Sequence, residues 1–269
     1  MLAPLDRAAL NYEIEGPEDA PVVLFSHSLA ADLTMWEAQQ PAFLEAGWRL
    51  VRYDMRGHGK SPAPTAAQQR LAMADLADDA VALMDHLGIE RVHWVGLSIG
   101  GMIGQVMGLR HAERVVSLTL ASTTSAIPAD LAPSWDQRVA AARAEGMAAL
   151  VEPTIERWFT RAARDAGLPE IEPVRAMIAN TSVDGYAACC GAIRDFRFTE
   201  RLPELRAPAL VVQGCEDPST PVEAGQVIAE HLPGARIAVI EEAAHLANIE
   251  QAAHWTALVT DFIREAARR

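Results

Sequence analysis

The most constraining stretch runs from Val92 to His111. Val92-His93-Trp94-Val95-Gly96 is an apolar, β-rich run, Leu97-Ser98-Ile99-Gly100-Gly101 follows it, and Met102 to His111 carries helical spacing. A strand that enters a helix through Gly-x-Ser-x-Gly must turn sharply. Gly96 and Gly100 leave room for a strained serine backbone, which lifts the Ser98 hydroxyl above the sheet. The N-terminus of the following helix favours negative charge beside that hydroxyl. Ser98 is therefore the candidate nucleophile. A dinucleotide site is a poor competitor, because the Gly-x-Gly-x-x-Gly spacing is absent.

Five further apolar runs accompany this one: Val22–Ser26, Arg49–Tyr53, Val115–Ala121, Ala209–Gly214 and Arg236–Ile240. They lack strict alternation, as strands covered on both faces do. Leu10 to Glu15 alternates loosely and suits an antiparallel edge hairpin. Between the runs lie helical patterns. Leu71 to Leu87 puts Leu76, Ala80, Leu83, Met84 and Leu87 on one face and stops at Gly88. A last helix is expected to start at Asn248, with Gln251 completing a capping box, and to run through Trp255, Leu258, Val259 and Phe262. Alternating strands and helices predict an α/β fold with a mostly parallel, doubly wound sheet. The stretch from Ala121 to Ala209 is too long for a loop and has no good strand. It predicts a helical cap over residues 125–199, inserted into a core made of 1–124 and 200–269.

A serine hydroxyl needs a base to take its proton. The strand–turn–helix nucleophile has its acid and then its histidine later in the chain. Of the eight histidines, His245 follows the last strand at the sheet end where ligands bind. His254 falls inside the last helix, and His86, His93, His111 and His231 fall on other helices or a strand, where packing or solvent explains them. Asp217, after the strand at Ala209, is placed to orient the imidazole, with adjacent Glu216 as the local alternative. A tetrahedral intermediate needs two aimed N–H donors. Ile99 supplies one, and Leu29 the other, with Ser28 as the alternative; His27 reads as a residue that shapes this loop.

Gly96–Gly101 together with Asp54-Met55-Arg56-Gly57-His58-Gly59-Lys60-Ser61 resembles the α/β-hydrolases. In that fold the second block is a structural turn, which removes His58 from the catalytic candidates. More narrowly, the chain resembles the 3-oxoadipate enol-lactonases. The resemblance is carried by residues 28–36, by Arg52-Tyr53-Asp54, by Arg157-Trp158-Phe159-Thr160, by residues 186–195 and by residues 244–250. It departs at His27, where the family usually carries a small polar residue such as Asn, and at Ile99, where Met is common. The family implies opening of a lactone ring through an acyl-enzyme on Ser98, with no cofactor; no metal ligands are assigned. The substrate of such enzymes carries a carboxylate, which Arg138, Arg157 or Arg194 could bind, with Trp135 and Trp158 lining the pocket. A carboxylesterase, another lactonase or a perhydrolase would use the same triad. A ligand-binding protein of the same fold would not need Ser98, Asp217 and His245 together, and a dehalogenase would carry an acid at position 98.

The formal charge of −13 argues against nucleic acid and against anionic membranes as partners. A small-molecule lactone or ester is the expected partner. Three cysteines, two of them adjacent, make no disulfide framework and suit a reducing compartment. With no signal-peptide pattern before Asn11, the expected location is cytoplasmic.

Overall fold

The computed structural model describes residues 1–6, 8–65 and 70–268. Eight strands form one sheet: β1 (Leu2–Pro4), β2 (Ala9–Glu15), β3 (Val22–Ser26), β4 (Arg49–Tyr53), β5 (Val92–Leu97), β6 (Val115–Ala121), β7 (Ala209–Gly214) and β8 (Arg236–Ile240). Their spatial order is β1-β2-β4-β3-β5-β6-β7-β8. The β1–β2 hairpin joins β4 antiparallel, and every later pairing is parallel. β3, β5 and β7 are buried along their whole length, which is why their sequences are mostly apolar, with Ser26, His93 and Gln213 as the polar exceptions.

Eleven α-helices lie among the described residues. Those that accompany the sheet are α1 (Gln40–Glu45), α2 (Met73–His86), α3 (Ile99–Arg110), α9 (Val222–His231), α10 (Ala247–Glu250) and α11 (Ala252–Ala266). Between β6 and β7 the chain forms α4 (Ala132–Glu145), α5 (Val151–Trp158), α6 (Arg161–Asp165), α7 (Ile171–Asn180) and α8 (Val183–Arg194). α3 packs on β5 and β6, and α9 packs on β7 and β8. The stripe foreseen on α2 is buried at Leu76, Ala80, Leu83 and Met84. No described helix is long and apolar enough to cross a membrane.

The C-terminal helix departs from expectation. It is broken at Gln251, where φ is −122° and ψ is 47°, so α10 and α11 are separate. Asn248 caps nothing. It is buried, and its amide donates to the Met35 carbonyl at 3.2 Å and to Gln39 Oε1 at 3.3 Å. Gln251 donates instead to the Glu242 carbonyl. A buried amide that ties two segments together spells the same Asn-x-x-Gln pattern as a cap.

The turn after β4 is fixed by charge. Asp54 accepts from Leu33 N–H at 2.7 Å, Lys60 N–H at 2.8 Å and the Asn11 amide at 2.8 Å. Two residues on, the Arg56 guanidinium makes a two-pronged ion pair with Asp79 of α2, and both side chains are buried. Removing one partner of such a pair leaves a buried charge unmatched. Asp79→Leu is expected to lower the unfolding free energy by about 3–5 kcal/mol in a urea titration. A loss below about 1 kcal/mol, the usual worth of an exposed pair, would show that the buried pair contributes little.

Candidate active site

Ser98 stands between β5 and α3 with φ 60° and ψ −117°, a conformation that costs a non-glycine residue energy. The glycines that flank it make the turn possible. A Cβ on Gly96 would run into the Gly100 carbonyl, and one on Gly100 would run into the Ser26 carbonyl of β3. Ser98 itself is only half-buried. Its backbone is held on two sides: its N–H donates to the Ala121 carbonyl at 2.9 Å, and the Thr123 hydroxyl donates to its carbonyl at 2.7 Å.

Asp217 and His245 come from the loops after β7 and β8. His245 Nδ1–H donates to Asp217 Oδ2 at 2.7 Å. Both side chains are almost wholly shielded, at 0% and 3% exposure. Asp217 also accepts from Ser219 N–H at 2.8 Å, Thr220 N–H at 3.1 Å and the Thr220 hydroxyl at 2.6 Å. Burial alone would raise its pKa. The imidazole, together with the Thr220 donors, overrides that and holds the carboxyl below the ordinary carboxylate range. Glu216 is exposed, and the imidazole faces Asp217 instead.

Leu29 N–H has no protein acceptor among the described residues. Ile99 is the first residue of α3, where an N–H has no acceptor within its own helix. His27 is buried in the same loop. Its Nδ1–H donates to the Ser28 carbonyl at 2.7 Å, and its Nε2 accepts from Met55 N–H at 2.9 Å. Burial lowers its pKa to about 4, so it holds the loop as a neutral ring. His58 lies 5.3 Å from His27, ring centre to ring centre, and burial lowers its pKa to about 3.

Ser98 and His245 open into a cavity of about 210 Å³. Its floor includes Ser28, Leu29 and Ala30, and the helices between β6 and β7 supply Trp135, Arg138, Arg157, Trp158 and Tyr186. The Trp158 ring stacks on the His245 imidazole, with centroids 5.9 Å apart. The Arg138 guanidinium lies 4.6 Å above the Trp135 ring. Arg157 donates to the Thr154 hydroxyl at 3.0 Å. Burial first, and then the neighbouring Arg138 charge, pull the Arg157 guanidinium below its ordinary value. Arg194 is a correction. It lies at the end of α8 outside this cavity, bound to Asp136 at 2.7 Å and Asp195 at 2.8 Å. A guanidinium already held by two carboxylates has little left for a ligand.

Three residues of this assembly escaped the sequence reading: Thr123, Thr220 and Gln213. The buried Gln213 amide donates to the Thr123 carbonyl at 3.1 Å and to the Thr220 carbonyl at 3.2 Å, and its oxygen accepts from Thr123 N–H at 3.1 Å. It thereby joins the residue behind Ser98 to the turn that carries Asp217. A signal was present, since Gln213 is the lone polar residue in Ala-Leu-Val-Val-Gln-Gly.

A doubly wound sheet with a serine on its strand–helix elbow after β5, and an Asp–His pair on the loops after β7 and β8, defines a class. The chain belongs to the α/β-hydrolase family, whose pattern, described as the alpha/beta hydrolase fold, matches residues 21–252. Within it, the chain is 34% identical over 243 residues to 3-oxoadipate enol-lactonase 2 of Acinetobacter baylyi, covering 90% of this chain and 88% of that one. The crystal structure of the enol-lactonase from Burkholderia xenovorans LB400 superposes with a TM-score of 0.93 at 34% identity, covering 98% of this chain and all of the other (100%). A protein of Variovorax paradoxus, named provisionally as the carbamate hydrolase RutD, is 33% identical over 94% of this chain and 96% of its own.

Proposed function

We propose that the protein hydrolyses a small carboxylate-bearing enol-lactone, 3-oxoadipate enol-lactone being the leading candidate, with residues 125–199 as a cap over the site. The observation that carries this reading is one cavity lined both by Ser98 and His245 and by Arg138 and Arg157. Neither guanidinium forms an ion pair with a carboxylate among the described residues, so the cavity offers positive charge to an anionic ligand. The likeness to enol-lactonases supports the same substrate class.

Ser98 Oγ attacks the lactone carbonyl carbon while His245 Nε2 takes its proton. Asp217 keeps the other proton on Nδ1 and stabilises the imidazolium. The carbonyl oxygen becomes an oxyanion in front of Leu29 and Ile99 N–H. The ring C–O bond then breaks and expels an enolate oxygen, a better leaving group than an alkoxide. His245 gives that oxygen the proton it took from Ser98 and becomes neutral again, and the enol so formed tautomerises to a ketone, which makes ring opening hard to reverse. Water, deprotonated by His245, attacks the acyl-enzyme; the Ser98 Oγ–acyl bond breaks, the proton passes from His245 to Oγ, and a carboxylate is released. Trp135 and Trp158 supply flat apolar walls for the ring.

A hydrolysis panel tests the substrate. The enol-lactone is expected to exceed p-nitrophenyl acetate, a saturated lactone and a simple carbamate in kcat/KM. Arg138→Leu and Arg157→Leu are each expected to raise KM for the enol-lactone by roughly tenfold to a hundredfold, the worth of a charged hydrogen bond. The same changes should leave the neutral acetate nearly untouched. Preference for the carbamate or the neutral ester, or equal losses on charged and neutral substrates, would overturn this reading.

A further inference from the structure

Glu250 takes no part in the proton transfers just described, yet it reaches the site from behind. It closes α10, five residues after His245, and it is partly buried. One carboxylate oxygen accepts from both Thr160 N–H and the Thr160 hydroxyl, each at 2.8 Å. The other accepts from Ala244 N–H at 2.7 Å. On the far side of His245, Leu246 N–H donates to the Trp158 carbonyl at 3.1 Å. The imidazole thus sits on a peptide segment pinned at both ends to residues 158–160 of the inserted helices, and it stacks on the ring of Trp158 from that same segment.

We propose that Glu250 is a positioning residue that couples the aim of the His245 imidazole to the seat of the inserted helices. The proposal rests on His245 being the general base. A bare fastening would not need a charge. Burial pushes the Glu250 carboxyl above its ordinary value, and Glu216 nearby adds to that, so keeping a carboxylate here is unfavourable by itself. What a carboxylate offers is acceptor capacity without a donor. Three donors converge on Glu250. A glutamine would turn its NH₂ toward one of them and leave two donors facing each other. The backbone at Ala244 would then shift, and the ring one residue on would shift with it. A displacement of about 1 Å at a reacting group can cost about a hundredfold in rate.

The test uses the full chain and two readouts that do not depend on the substrate's carboxylate. One is the rate of covalent labelling by a fluorophosphonate; the other is kcat and KM for p-nitrophenyl acetate. Glu250→Ala is expected to slow labelling and kcat by roughly tenfold to a hundredfold, with KM changed by less than about twofold. Glu250→Gln is expected to fall between it and the wild type. Glu241→Gln, which removes an exposed charge from the same loop, is expected to label at the wild-type rate. Wild-type labelling by Glu250→Ala, or a change confined to melting temperature or KM, would overturn the proposal. Where Glu250→Ala fails to fold, wild-type labelling by Glu250→Gln would do so. A wild-type protein that does not label at all would instead overturn the assignment of Ser98, and this proposal with it.

Discussion

Ser98→Ala is expected to lower kcat by roughly 10⁴- to 10⁶-fold while the protein stays folded. Loss of the hydroxyl removes the atom that would form the acyl-enzyme, and water attack on the substrate is all that remains. The residual rate over solution would come from the Leu29 and Ile99 donors and from substrate binding. Folding is spared for a geometric reason. The unusual backbone angles at position 98 are imposed by the packing of Gly96 on Gly100 and of Gly100 on Ser26, and alanine keeps the Cβ already accommodated there. Thr123 and Ala121 bind the backbone of residue 98, which alanine retains. Mass spectrometry after fluorophosphonate treatment should find the adduct on Ser98 in the wild type and none in the variant. Near-normal turnover by Ser98→Ala would exclude the covalent route.

Asp217→Asn is expected to cost roughly 10³- to 10⁴-fold in kcat, with little change in shape. The amide can present its NH₂ toward His245 Nδ1, and the ring then accepts there and carries its proton on Nε2. In that tautomer Nε2 cannot take the proton of Ser98. The alternative orientation keeps the imidazole's tautomer but sets the NH₂ against the Ser219 and Thr220 backbone N–H groups. Stability should change in a pH-dependent way. The Asp217 carboxyl is held below its ordinary value, so its contribution is present above the unfolded pKa of about 3.9 and is lost as pH falls through the lower folded value. The Asn variant should be less stable than wild type near neutral pH, with the gap narrowing on acidification. Activity unchanged from wild type would show that Asp217 is not the group that orients His245.

Much of this was readable in the chain because each signal was local. Buried parallel strands are mostly apolar, and β3, β4, β6 and β7 begin and end where their apolar runs do; so does β8, although it is an edge strand and mostly exposed. Asp217 and His245 could be singled out because they follow consecutive strands, and the structure brings them within 2.7 Å. What escaped depended on which way a side chain faces. Arg138, Arg157 and Arg194 are alike as helix cations. Only the packing of α4 against α8 shows that Arg194 meets Asp136 while Arg138 faces the cavity. Asn248 misled for a related reason, since an amide that caps and an amide that cross-links differ only in tertiary surroundings.

The helices between β6 and β7 leave the sheet from one strand and return to its immediate neighbour, with Leu118 paired to Ala209 and Ala121 to Val212. In polymer terms they are a single closed loop, and loop-closure entropy grows only logarithmically, by about 0.6 kcal/mol for each doubling of length. The register of β6 against β7, the strand that presents Asp217, is therefore nearly indifferent to how long that loop is. Descendants of this chain can rebuild the substrate-facing half of the enzyme, residue by residue or helix by helix, without refolding the half that performs the chemistry.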